Sequence, residues 1–246
     1  MRHTLLNHLR TYQAYLVTLK ASGRIVMDAQ RRQLTHESAD AHIEAWAKQI
    51  LNIAEANIEV HGLERIADEE SYVLMSNHAS FLDIPSVITA FPNSVRMVAK
   101  KEMGAVPVFG HALRQIGTII VDRRDTKKSI EELNKGKAIL KNNVSVWIAP
   151  EGTRSKNGEL GEFRKGGFHL AMQLGVRILP IWIQGTFDIY SPSAKSAERG
   201  GQIQVRFGAP ITTHGMKKDN LQELMKSVRD SMLDIVSAKV LSFGVT

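Results

Sequence analysis

The chain of 246 residues contains no cysteine. That removes disulfides, cysteine-ligated zinc or iron–sulfur centres and any thiol nucleophile, and it fits a reducing compartment. No apolar run reaches the roughly 18–20 residues needed to span a bilayer. The N-terminus carries Arg2 and Arg10 but not the roughly 7–15-residue apolar core of a secretion signal. The expectation is a protein that neither crosses a membrane nor is exported. Familiar catalytic signatures are missing too: no G-x-S-x-G elbow, no Walker A loop, no H-E-x-x-H and no G-x-G-x-x-G after a strand. A covalent enzyme intermediate therefore has no evident nucleophile. Base-assisted direct transfer is the economical alternative.

What is present reads as a folded protein. Hydrophobic residues make up 43% and charged residues 23%, an ordinary globular balance. The length suits one sizeable domain with an appendage. A net charge of +7 and a pI near 9.6 favour polyanions, whether nucleic acid, an anionic lipid surface or a phosphorylated substrate.

Leu5, Leu9, Tyr12, Leu16 and Leu19 recur at helical spacing, with Arg10, Gln13 and Lys20 elsewhere on the helix surface. Ile43, Trp46, Ile50 and Ala54 form a second stripe, opened by a cap at Thr35 or Ser38. The basic stretch from Arg24 to Arg32 lies between the stripes, which predicts a two-helix hairpin over residues 1–57. From Ile58 the pattern changes. β-Branched runs at 73–75, 95–98, 118–121, 144–148, 178–183 and 203–207 alternate with helical segments at 84–90, 108–116, 127–141, 167–174 and 220–240. Residues 58–246 are thus expected to form an α/β domain, a mostly parallel central sheet flanked by helices. The 191–196 segment and Gly200-Gly201 mark a loop.

Polar residues collect where these strands end, which is where open α/β sheets bind ligands. Asn77 and His78 follow the first run, and Asp83 stands five residues beyond His78. On one ideal helix those two side chains would point about 140° apart. A bend between a strand ending near His78 and a helix starting at Asp83 would bring them together. An aspartate bonded to one imidazole nitrogen makes the other a general base. The alternative is a loop histidine beside a helix-capping aspartate.

"APEGTRS", residues 149–155, follows another apolar strand: Gly152 permits a tight turn, Thr153 offers a hydroxyl and Arg154 a planar fork suited to phosphate or carboxylate. Glu151 could orient Arg154 or hold the turn. "GTIIVDRRD", residues 117–125, ends in Asp122, Arg123 and Arg124, and Lys100 and Lys101 follow a further strand. Together these cations would form an anion-binding rim, although each alone also reads as a solvated loop charge. Arg164 and Lys165 precede Gly166-Gly167 at a helix start, a setting that suits an anion. His169 reads as packing.

Taken in order, these clusters resemble the glycerolipid acyltransferase family, specifically its 1-acylglycerol-3-phosphate acyltransferases. N-H-x-x-x-x-D is met by Asn77, His78 and Asp83. A glycine, an apolar run and Asp-Arg is met by Gly117, Asp122 and Arg123. E-G-T-R is Glu151, Gly152, Thr153 and Arg154, and the apolar strand with a proline is 178–183 around Pro180. The resemblance covers roughly residues 58–190.

It implies that His78, oriented by Asp83, deprotonates the free hydroxyl of a lysophosphatidate. The hydroxyl oxygen then attacks an acyl thioester of coenzyme A or acyl carrier protein, giving phosphatidate and a thiol. Arg123 and Arg154 would hold the acceptor's phosphate, helped by Lys100, Lys101 or Lys165. Asn77, Gly117, Asp122, Glu151, Gly152, Thr153 and Pro180 would shape the pocket. No metal or bound cofactor is implied. Many members carry an N-terminal membrane-spanning helix where this chain has amphipathic ones. The expected location is therefore the cytoplasmic face of a membrane, monotopic or peripheral, with the hairpin against anionic headgroups. The doubled Arg123-Arg124 leaves open which guanidinium faces the phosphate. Glycerol 3-phosphate or another lysophospholipid could be the acceptor, and a catalytically silent lipid-binding protein is a further reading. Nucleic acid ranks last as a partner, because no binding motif accompanies the charge.

Overall fold

The computed structural model describes residues 2–68, 70–122, 143–191 and 200–242. Two helices come first, α1 (Arg2–Gln30) and α2 (His36–Ile53). Then follow β1 (Ala56–His61), β2 (Val73–Ser76), α3 (Asp83–Ala90), β3 (Val95–Lys100), α4 (Lys101–Gly104), α5 (Phe109–Gln115) and β4 (Ile119–Val121). After the undescribed stretch come β5 (Ser145–Ile148), α6 (Lys165–Leu174), β6 (Ile178–Gln184), α7 (Thr186–Ile189), β7 (Gly201–Phe207) and α8 (Leu221–Ser242). All six expected strands are present. One more, β1, lies outside those runs although Ala56, Ile58 and Val60 alternate with polar neighbours at strand period. The helix expected at 127–141 falls outside the described residues, as does most of the loop expected around 191–196. Gly201, expected in that loop, opens β7.

The strands form one sheet in the order β1-β7-β6-β2-β5-β3-β4. The five from β6 to β4 run parallel, while β7 pairs antiparallel with β6 and carries β1 with it. The central strands are buried on both faces, as parallel strands under helices must be. Tyr72, Leu74 and Trp147 point into one core with Leu51, Val87 and Phe91. Val73, Met75, Val146 and Ile148 point into the other with Phe168, Leu224 and Val228.

The hairpin differs from expectation in one respect. The basic stretch is no connector: α1 continues through it to Gln30 and the chain turns at Arg32, whose φ is 57°. The inward positions explain this, because Ala14, Val17, Ala21, Ser22 and Ile25 keep helical spacing and are half-buried or buried, so packing carries the helix onward. Thr35 is the N-cap of α2, and Ser38 reciprocates from N3 in a capping box. On α1 the large apolar stripe faces outward: Leu9, Tyr12, Tyr15, Leu16 and Leu19 are all exposed. No described helix is both long and apolar enough to cross a membrane.

Candidate active site

The site grows from the carboxyl end of β2. The β2–β6 ladder stops at the pair Ser76 and Ile181, and the next residue of β2's path, Asn77, continues it with its side chain. Its Nδ2 donates to the Ile183 carbonyl at 2.8 Å, and its Oδ1 accepts from the Ile183 N–H at 2.8 Å. A carboxamide is a peptide isostere, so it satisfies both backbone groups that the strand end would leave orphaned.

His78 follows, held by its backbone to the 149–155 turn. Its N–H donates to Glu151 Oε1 at 2.8 Å and its carbonyl accepts from the Ser155 N–H at 2.7 Å. The other Glu151 oxygen accepts from the Gly161 N–H at 2.8 Å. A Cβ on residue 161 would lie 2.8 Å from that oxygen, so glycine is what lets the carboxylate sit there. Burial pushes the Glu151 carboxyl above its ordinary range, opposed by the N–H groups of Gly161 and His78.

The imidazole presents Nδ1 to Asp83 Oδ2 at 2.8 Å and packs edge-on against Trp147, with ring centroids 5.6 Å apart. Asp83 is fully buried at the first position of α3. Its Oδ2 also accepts from the N–H groups of Ala79 at 2.7 Å and Ser80 at 2.8 Å, and its Oδ1 from the Thr186 hydroxyl at 2.5 Å. Both oxygens of this buried carboxyl group thus meet donors, as burial of a polar group requires. With Nδ1 donating to Asp83, Nε2 is the nitrogen left to accept a proton.

His78 lines a cavity of about 570 Å³ between the sheet and the α1–α2 hairpin, a size typical of small-molecule sites. Most of the wall is apolar, including Ile25, Trp46, Phe81, Ile88, Phe109 and Leu113. It follows β3 from Lys100 to Val95; the four steps from Lys100 to Arg96 alone descend roughly 13 Å at about 3.3 Å per residue. At the His78 end it is lined by Lys100, Gly152, Thr153 and Arg154.

The expected site residues therefore divide. His78, Asp83 and Glu151 form one hydrogen-bonded unit, Asn77 ties the same loop to Ile183, and Lys100, Gly152, Thr153 and Arg154 share the cavity. Lys101 is exposed and paired with Asp122 at 2.8 Å, and neither lines the cavity. Gly117 turns the chain into β4 at φ 79°, between the cavity-lining Ile116 and Thr118. Pro180 is buried within β6 beside Met75 and is also not among the lining residues. Arg123 lies outside the described residues. Lys165 is exposed at the start of α6, and His169 is half-buried. Among the described residues no three His, Asp or Glu side chains are grouped as a metal site.

Ser155, which closes the 149–155 cluster, belongs to the same network, as do Gly161 and Thr186, which no motif names. Thr186 had one sequence signal, a polar residue after a glycine near a strand end, as Thr153 is after Gly152.

Fold and site together define an α/β protein with a buried carboxylate–imidazole pair opening on an apolar cavity. Residues 57–184 match the acyltransferase family model, more than half of the chain, and the chain belongs to that family. It is 36% identical over 179 residues to a mouse (Mus musculus) protein, "1-acyl-sn-glycerol-3-phosphate acyltransferase alpha", covering 72% of this chain and 63% of that one. It is 38% identical over 181 residues to the 1-acyl-sn-glycerol-3-phosphate acyltransferase of Saccharomyces cerevisiae, covering 72% and 59%. A chloroplastic enzyme of the same name from Arabidopsis thaliana is 33% identical over 224 residues, covering 89% and 60%. The chain thus spans about 60% of the length of these relatives. The crystal structure of the 1-acyl-sn-glycerophosphate acyltransferase of Thermotoga maritima superposes with a TM-score of 0.77 at 23% identity, covering 97% of this chain and 96% of that one. The fold is shared over nearly the whole length.

Proposed function

We propose that the protein transfers a fatty acyl group from an acyl thioester, of coenzyme A or acyl carrier protein, to the free sn-2 hydroxyl of lysophosphatidate, giving phosphatidate for phospholipid synthesis. The observation that carries this reading is the pairing of His78 with the buried Asp83, opening into an apolar cavity with Lys100 and Arg154 beside it. Membership of the acyltransferase family and the names of the relatives support it.

Nε2 of His78 takes the hydroxyl proton while the oxygen attacks the thioester carbonyl, and Asp83 stabilises the imidazolium that forms. Collapse of the tetrahedral intermediate breaks the carbon–sulfur bond, and the imidazolium returns its proton to the departing thiolate. The apolar wall takes the acyl chain, while Lys100 and Arg154, with Arg123 from beyond the described residues, hold the acceptor's phosphate. No bound cofactor takes part; the thioester is a co-substrate.

The lipid acceptor reaches the cavity from a membrane surface on the cytoplasmic side. The outward apolar stripe of α1 supports this, with Lys20, Arg24, Arg31 and Arg32 exposed along and just beyond the same helix. Val106 and Val108, exposed on either side of Pro107 at the entry to α5, add apolar surface beside the same cavity. Flotation with anionic vesicles should carry the protein, and failure to float would remove the interfacial reading.

A thiol-release assay tests the chemistry. Acyl-CoA and acyl carrier protein donors are offered with lysophosphatidate or glycerol 3-phosphate, to wild type and to His78→Ala of matched circular dichroism. Turnover with lysophosphatidate that disappears in folded His78→Ala is the expected result. Activity only with glycerol 3-phosphate would reassign the acceptor. Absence of turnover with either donor and both acceptors would overturn the proposal.

A further inference from the structure

Thr186 lies two residues past the stretch matched to the family, yet its hydroxyl donates to Asp83 Oδ1 at 2.5 Å and the residue is 1% exposed. Asp83 is fully buried, and its two oxygens are served from different sides: Oδ2 by His78, Ala79 and Ser80, Oδ1 by Thr186. The first three come from the loop that carries the dyad itself. Thr186 comes from the far side of the β2–β6 pairing, 103 residues away. We propose that Thr186 is a positioning residue of the site, whose hydroxyl fixes the rotation of the Asp83 carboxylate so that Oδ2 stays on His78 Nδ1.

The surrounding backbone is shaped for this contact. Gly185 adopts φ 94°, and a Cβ there would stand 2.2 Å from the Gln202 carbonyl oxygen. Glycine therefore lets β6 turn at once into α7, of which Thr186 is the first residue. The same turn grips the dyad loop again, where the Ser80 hydroxyl donates to the Tyr190 carbonyl at 2.5 Å. With Asn77 bound to Ile183, residues 183–190 hold residues 77–83 at three points. Two of these are backbone anchors that place the loop. The third ends on the carboxylate, the group whose orientation sets the imidazole tautomer. Without the hydroxyl, Oδ1 is left in a buried site lacking its donor, and the carboxylate gains by rotating to share the loop N–H groups between both oxygens. His78 Nδ1 then loses its fixed acceptor.

The inference rests on reading His78 as the base, and its test separates that reading from its own. Protein labelled with 15N-histidine is prepared as wild type, T186V and T186S, with the His78 ring signals assigned by their absence in His78→Ala. The ring nitrogen shifts, measured without substrate, should place the proton on Nδ1 in wild type and T186S and reveal the second tautomer in T186V. With lysophosphatidate and acyl-CoA, T186V should lose about ten- to a hundredfold in kcat with KM changed by less than about twofold, and T186S should recover most of it. A wild-type tautomer in folded T186V, or T186S as impaired as T186V, overturns the proposal; lowered stability alone would assign Thr186 a purely structural part and overturn it equally. Should T186V not fold, T186A leaves the same oxygen without its donor and replaces it. If wild type turns over no acceptor, the functional reading fails while the tautomer comparison still decides the role of Thr186.

Discussion

Replacing Asn77 by alanine removes the two 2.8 Å hydrogen bonds that close the end of the β2–β6 ladder. Asn77 is 4% and Ile183 2% exposed, so the Ile183 N–H and carbonyl lose their partners in a place solvent hardly reaches. Each orphaned buried group costs about 1–3 kcal/mol, giving a range of about 2–6 kcal/mol. The vacated carboxamide leaves room for one water, which can bridge both groups and pull the loss towards about 2–3 kcal/mol.

Aspartate separates hydrogen bonding from size. It keeps an acceptor for the Ile183 N–H but sets a second carboxylate oxygen against the Ile183 carbonyl, where Nδ2 now donates. At pH 8 Asn77→Asp should be less stable than Asn77→Ala, and acidification should narrow the gap as the protonated carboxyl regains a donor. Urea unfolding followed by tryptophan fluorescence and far-ultraviolet circular dichroism measures all three proteins, with coincident transitions required. A loss below about 1 kcal/mol in Asn77→Ala, or wild-type stability of Asn77→Asp at pH 8, would refute the peptide-mimic account.

Glu70 is held below its ordinary carboxyl range by the Arg177 guanidinium, with the Tyr72 hydroxyl assisting against burial. Its stabilisation is therefore present above the unfolded value near 4.5 and is lost as the pH falls through the lowered folded value. Glu70→Gln should flatten that acid loss in denaturation series at stepped pH; the effect is below about 1 kcal/mol because the pair is partly exposed. Glu151 works in the opposite sense: its raised carboxyl contributes a stability that declines as the pH rises from 4.5 through the folded value. Gly185→Ala meets the Gln202 carbonyl at 2.2 Å and an unfavourable φ of 94°, and should cost at least about 2 kcal/mol in urea and lower kcat through Thr186. On α8, Arg229 donates to the carbonyls of Gly161 at 2.7 Å and Leu160 at 3.1 Å. Arg229→Met should loosen the turn that seats Glu151, visible as faster hydrogen exchange at Gly161, and unchanged exchange there would refute that link.

The His78–Asp83 contact was legible as one of two readings of a local spacing, the other being a loop histidine beside a capping aspartate. A strand end followed by a bend allowed it, and the order of the surrounding motifs favoured it. The strand runs were legible too, since β-branched segments buried on both faces are continuous in the chain. β1 escaped although its apolar positions alternate at strand period, because Ala56 to Val60 forms no continuous β-branched run of the kind that marked the other strands. The sequence also located the Leu9-to-Leu19 stripe of α1, while the expectation that it faces a membrane came from the resemblance and not from its period. Periodicity identifies an apolar face without saying what covers it, and here the smaller residues Ala14, Val17, Ala21 and Ser22 face the protein.

By itself, then, the chain determined its α/β class and its two leading helices through patterns within a few residues, and it offered His78 and Asp83 as the central pair through the order of its motifs. Only the tertiary structure decided what holds that pair in place. Glu151, Ile183, Thr186 and Tyr190 reach the 77–83 loop across 73 to 110 residues. They meet it because β6 and β5 flank β2 in the sheet. That order is set by how all the strands bury their two faces at once, a property of the assembled sheet that no local stretch of sequence carries.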